Sequence, residues 1–184
     1  MSFKRRLCAT AKLVAVFATV VLIAVGSAQA DMLVAVVGDS NVNGKGVSRD
    51  QAYPAKLERA LKAKGHDVRV LNSGIDGDTT VGVLGRLNSA APPDTKVAVV
   101  WVGINDAKRG IPRETIVSNT QEISNRLKKR GIEVVMIRQS DVRDLFEKYL
   151  IPGDPEKHIT SAGYDALVGR TIGQVEQAIA RAKK

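Results

Sequence analysis

Cysteine is almost missing from this chain: of 184 residues the only one is Cys8. Everything after it must hold its fold by packing rather than by disulfide bridges, and zinc sites built on thiolates are excluded. Aromatic residues are scarce too, at three Tyr, three Phe and one Trp. That removes the interleaved basic and aromatic surface on which single-stranded nucleic acid stacks. Histidine occurs twice, as His66 and His158, so imidazole chemistry has two candidates. No apolar run reaches the roughly 20 residues that a membrane-crossing helix needs. The longest extends from Leu13 to Val25.

What surrounds that run is informative. Lys4-Arg5-Arg6 precedes it and Gly26-Ser27-Ala28-Gln29-Ala30 follows it. A basic start, an apolar middle and small residues at Ala28 and Ala30 make a secretory signal peptide over residues 1–30, with cleavage expected after Ala30. A periplasmic or secreted location is therefore expected, with no stable membrane insertion after cleavage. Cys8 lies ahead of the apolar run, misplaced for a lipid-modified N-terminus. Residues 31–184 have the length of one domain with a core of its own. The formal charge of +9 includes Lys4, Arg5, Arg6 and Lys12, which leaves about +5 beyond the signal. That mild basicity points to no nucleic-acid partner. Lys128-Lys129-Arg130 reads instead as a helix C-terminus complementing the macrodipole, with Gly131 as the stop.

Beyond the signal, strands alternate with helices. Met32 to Val37 is a continuous apolar run suited to a strand buried on both faces. Tyr53, Leu57, Ala60 and Leu61 predict a helix over 51–64, Val68 to Leu71 a second strand, and Val83, Leu84 and Leu87 a short helix. Lys96 to Val102 is the third strand, Arg113 to Arg130 an amphipathic helix with Pro112 near its start, and Ile132 to Ile137 the fourth strand. A helix over Asp141 to Lys148 leaves Tyr149-Leu150-Ile151 as at most a vestigial fifth strand. Tyr164, Val168, Thr171, Val175 and Ala178 predict a closing helix over Ser161 to Ala182, capped by Thr160 or Ser161. Alternation of this kind implies an α/β fold: three layers, α/β/α, around a flavodoxin-like parallel sheet of four to five strands.

Four polar islands interrupt this pattern: Gly38-Asp39-Ser40, Asn72-Ser73-Gly74, Gly103-Ile104-Asn105-Asp106 and Asp154 through His158. In an open parallel sheet, ligands bind outside the carboxyl ends of the strands, where the first three begin. A serine hydroxyl becomes a useful nucleophile when an imidazole takes its proton, and the resulting oxyanion needs fixed donors. Ser40, His158, Asn105 and Gly74 are candidates for those tasks. Asp39 is expected to hold the turn after the first strand. His66, between a helix end and a strand start at the opposite rim, is expected to be a solvated loop residue.

These islands, in this order, resemble the SGNH (GDSL-type) esterase superfamily over the whole of residues 31–184. The first block matches Gly38 to Gly44, the second Asn72 to Thr79 and the third Gly103 to Asp106. The resemblance implies Ser40 as nucleophile, His158 as base, and an oxyanion hole made of the Ser40 amide, the Gly74 amide and the Asn105 side chain. It also implies ester hydrolysis through an acyl-enzyme, without metal or organic cofactor. The family's acid sits three residues before its histidine, a position held here by Pro155. Asp154, four before, is the candidate acid because the Gly153–Pro155 turn can absorb one residue. Glu156 is the runner-up, and a backbone carbonyl orienting His158 is the third possibility. Expected substrates are short acyl, aryl or thioesters, with lipid and glycan esters open. The alternative is a catalytically silent module of the same fold that binds glycan or another envelope component. A nucleotide-binding reading fails because Asn41 to Gly46 has neither the Walker spacing nor a Gly-x-Gly-x-x-Gly fingerprint.

Overall fold

The structure, a computed structural model, describes residues 31–184; the expected signal peptide lies outside the described residues. Four strands, β1 (Met32–Gly38), β2 (Val68–Gly74), β3 (Thr95–Trp101) and β4 (Glu133–Met136), form one sheet in the order β2-β1-β3-β4. All three pairings are parallel. The chain leaves β1 on one side for β2 and then jumps across β1 to β3. The crevice between β1 and β3 is thus the topological switch point.

Alternation along β1 decides the layers. Val34 and Val36 face one way and share a core with Tyr53, Leu57 and Leu61 of α2 (Tyr53–Ala63), Val142 and Leu145 of α6 (Gln139–Lys148), and Leu167, Val175 and Ile179 of α7 (Ser161–Ala182). Ala35 and Val37 face the other way. They pack with Val83 and Leu87 of α3 (Thr80–Ala90) and with Ile123 and Leu127 of α5 (Arg113–Lys129). Each fully buried aliphatic side chain contributes about 1.5–3 kcal/mol, so the twofold alternation of one strand determines which helices cover which face. Thr171 sits in the apolar stripe of α7 because its hydroxyl is satisfied twice, by the Leu167 carbonyl at 2.8 Å and by Tyr53 Oη at 2.8 Å.

Among the described residues the vestigial fifth strand amounts to one isolated antiparallel bridge, from Leu150 to Ile159. One expectation about the sheet needs correction: β2 does not stop at Leu71, since Asn72, Ser73 and Gly74 continue the ladder opposite Val36, Val37 and Gly38. Apolar periodicity cannot see that extension, because the rim end of the strand is polar. Two short helices also went unforeseen, α1 (Ser40–Asn43) and α4 (Ile104–Lys108). Each has only about one turn, too little for a 3.6-residue pattern to register.

Candidate active site

Ser40 follows β1 with one residue between. Gly38 must lack a side chain, since a Cβ there would meet the Trp101 carbonyl and the Val42 side chain. Asp39 then caps α1, its carboxylate accepting from the Asn41 amide at 3.0 Å. Burial pushes the Asp39 carboxyl up to about 6, against the opposing effect of the Asn41 hydrogen bonds. Ser40 is the first residue of α1 and is buried. At a helix start the backbone N–H has no intrahelical partner, and among the described residues the Ser40 amide has no acceptor.

His158 reaches the same rim from the loop between α6 and α7. That loop is closed by hydrogen bonds from the Ile151 amide to the His158 carbonyl, 2.9 Å, and from the Thr160 amide to the Tyr149 carbonyl, 2.8 Å. His158 Nε2 lies 2.8 Å from Ser40 Oγ and Nδ1 lies 2.6 Å from Asp154 Oδ2. Asp154 also accepts from the His158 amide at 2.7 Å and the Glu156 amide at 2.9 Å. Those two amides, His158 first, hold its carboxyl down at about 2, with the His158 ring adding to the effect. In the turn between Asp154 and His158, Lys157 takes φ 62°, the only positive φ outside glycine among the described residues. That conformation costs about 1–2 kcal/mol for a residue with a Cβ. Glu156 lies on the other side of the ring, with Oε2 3.7 Å from Nε2. The two candidate carboxylates thus face different nitrogens.

Asn105 stands in α4, just after Gly103 at φ 114°. Its Nδ2 donates to the Asp78 carbonyl at 2.9 Å, which orients the amide and leaves one N–H of that group for another acceptor. Asp106 is buried and accepts from the Thr80 amide at 2.9 Å and the Thr80 hydroxyl at 2.5 Å, binding α4 to the start of α3.

Gly74 does not have the free amide expected of it. Its N–H donates to Asn72 Oδ1 at 3.0 Å, and a Cβ at this position would fall on the Val42 and Asn43 backbone. It is a glycine so that α1 can lie against β2. Three residues on, Gly77 adopts φ 74°, and its amide has no acceptor among the described residues. It adjoins Asp78, whose carbonyl holds Asn105. The signal for Gly77 was present in the sequence as the second glycine of the block from Asn72 to Thr79.

Sequence reasoning also missed Arg86. From the face of α3 turned to the rim, its Nε donates to Asp78 Oδ2 at 2.7 Å and its Nη2 to the Gly38 and Ser73 carbonyls, each at 3.0 Å. One guanidinium thus joins the carboxyl ends of β1 and β2 to the loop that orients Asn105. An arginine beside Val83 and Leu87 was the available clue. His66 stands away from this cluster, before β2, but it is no simple solvated loop residue. Its Nε2 pairs with Glu176 Oε1 of α7 at 2.9 Å.

Residues 36–184 match the GDSL-like Lipase/Acylhydrolase family. An arylesterase of Vibrio mimicus is 34% identical over 113 residues, covering 61% of this chain and 56% of that protein. Esterase TesA of Pseudomonas aeruginosa is 32% identical over 103 residues, covering 55% and 51%. The chain thus spans about half the length of these relatives. Among solved structures, the crystal structure of TesA superposes with a TM-score of 0.67 at 22% identity, over 80% of this chain and 99% of that one. AlinE4, an SGNH-hydrolase family esterase, gives 0.56 at 26% identity, over 80% and 96%. No helix among the described residues is long and apolar enough to cross a membrane. With the family match running from β1 through the closing helix, the chain belongs to the GDSL-like lipase/acylhydrolase family.

Proposed function

We propose that this protein is a serine hydrolase of carboxylic esters. The observation that carries the reading is the continuous relay Asp154–His158–Ser40, with contacts of 2.6 and 2.8 Å at the switch point of the sheet. Ser40 Oγ attacks the acyl carbon as its proton passes to His158 Nε2. The C–O bond to the alcohol breaks as that proton moves on to the departing oxygen. Water then repeats the exchange on the acyl-enzyme. Asp154, ionised across the working range, fixes the Nδ1–H tautomer and stabilises the imidazolium. The tetrahedral oxyanion is held by the Ser40 amide, the free N–H of Asn105 and a glycine amide. For the last we favour Gly77 over Gly74, whose N–H is already engaged. Losing one such donor costs about 10²- to 10³-fold in rate.

The relatives' names, arylesterase and esterase, support short acyl and aryl esters as substrates; thioesters and lipid or glycan esters belong to the same chemistry. Export to the periplasm or beyond rests on residues 1–30. The test is labelling of purified protein by a fluorophosphonate probe together with a panel of esters. Wild type is expected to label and hydrolyse, Ser40→Ala to do neither, and His158→Ala to lose hydrolysis by about 10³-fold or more. Hydrolysis that survives both substitutions overturns the assignment. A protein that neither labels nor hydrolyses is the silent binding module.

A further inference from the structure

The Nε2 side of His158 is where a departing alcohol collects its proton, and a carboxylate is fixed there. Glu156 Oε2 lies 3.7 Å from Nε2, while Oε1 of the same group accepts from Lys45 Nζ at 2.7 Å. Its backbone is held as well: the amide donates to Asp154 Oδ1 at 2.9 Å and the carbonyl accepts from Lys108 Nζ at 2.9 Å. Lysines from two other rim segments therefore grip one residue at both its carboxylate and its carbonyl. The ion pair with Lys45 keeps the Glu156 carboxyl below its usual range, so the group is ionised throughout neutral pH. No hydrogen bond in the relay uses this carboxylate, which leaves its position unexplained by acid-base work alone.

We propose that Glu156 determines leaving-group charge: resting on the Ser40–His158 reading, it selects esters of neutral or cationic alcohols against esters whose departing alcohol bears an anionic group. When the acyl–oxygen bond breaks, the leaving oxygen must sit against Nε2, which brings substituents on the alcohol within a few ångströms of the Glu156 carboxylate. A negative substituent there is repelled and a positive one attracted. Both Glu156 and Lys45 are about half exposed, with side-chain accessibilities of 51% and 41%, so water screens the effect. One unit charge at this range in a solvated setting changes a rate by roughly three- to tenfold.

Acetate esters of phenol, meta-hydroxybenzoate and meta-hydroxy-trimethylanilinium share the acyl group and differ in leaving-group charge. Within one protein they differ in intrinsic reactivity, but the change in their kcat/KM ratios between variants does not carry that difference. Glu156→Gln is expected to raise the anionic-to-neutral ratio by about three- to tenfold and to lower the cationic-to-neutral ratio. Lys45→Gln breaks the same ion pair but leaves the carboxylate uncompensated, so it should move both ratios the opposite way. Raising salt should shrink all of these differences. A merely structural ion pair would make the two variants behave alike; ratios that stay constant, or that shift in the same direction in both, overturn the proposal. Failure of the parent reading is visible separately, as hydrolysis that persists in Ser40→Ala, and would remove this proposal with it.

Discussion

Asp154 and Asp39 are both near Ser40, yet their environments push their carboxyls in opposite directions. Asp154 accepts two backbone amides and the His158 ring, so its ionised form is favoured and its carboxyl titrates at about 2. Asp154→Asn would present an N–H to at least one of these donors. The imidazole would then lose its fixed tautomer, and kcat for a simple aryl ester should fall about 10³- to 10⁴-fold with Ser40 still intact. A loss under tenfold would show that a backbone group orients His158. Asp39 is buried, and its carboxyl is raised from 3.8 to about 6. Between those values the folded protein holds a proton that the unfolded chain has released. Stability from this group is therefore fully present below about pH 4 and lost as pH rises through about 6. Asp39→Asn retains an acceptor for the Asn41 amide but cannot ionise. Urea denaturation at pH 4, 5 and 7 should show the variant gaining on wild type across this window, by on the order of 2–3 kcal/mol in total. A constant difference across the three pH values would contradict this reading.

At the level of elements, the site is a set of strand and helix ends held in register. Gly38 and Gly74 are level in the β1–β2 ladder, and each lacks a side chain because another backbone comes too close. Arg86 of α3 ties the carbonyls beside them to Asp78, and Asp106 ties α4 to the start of α3. Arg86→Met would keep the apolar stem but take the charged donor from Asp78 Oδ2 and from the Gly38 and Ser73 carbonyls, leaving Asp78 to the Thr79 amide and Gly38 to the Ile75 amide. The expected loss is about 2–3 kcal/mol in thermal or urea unfolding, since the pair is mostly but not fully buried. Activity at a temperature where the variant is folded should also drop, because Asp78 is the residue that orients Asn105. Unfolding within about 0.5 kcal/mol of wild type would show that the loop is held by other contacts. At this scale the sequence was only partly readable. The long amphipathic helices α2, α5 and α7 were legible from their apolar spacing, which a buried helical face makes unavoidable. The one-turn helices α1 and α4, and the polar end of β2, were not, because their positions depend on partners distant in the chain.

Across the whole molecule, the alternation of apolar strands and amphipathic helices already required a covered parallel sheet, and the order of the four polar islands already singled out Ser40, Asn105 and His158 as candidates. Those results follow from local chemistry: which residues bury, which turn, and which can act as nucleophile, donor or base. Other questions needed contacts between segments more than 100 residues apart, which no local pattern encodes. Ser40 and His158, 118 residues apart, meet at 2.8 Å only because β1 lies beside β3 at the switch point and the loop before α7 folds back over it. The same folding assigned Asp154 to Nδ1 and Glu156 to the Nε2 side, although the two lie within two residues of each other. Docking also fixed which amides of the second block stay open: Asn72, two residues away, engages that of Gly74, while that of Gly77 has no acceptor among the described residues. Composition and order could name the groups that belong to the site, but the direction in which each donor and acceptor points was decided by packing, because a hydrogen bond depends on angles that are set only when the elements dock.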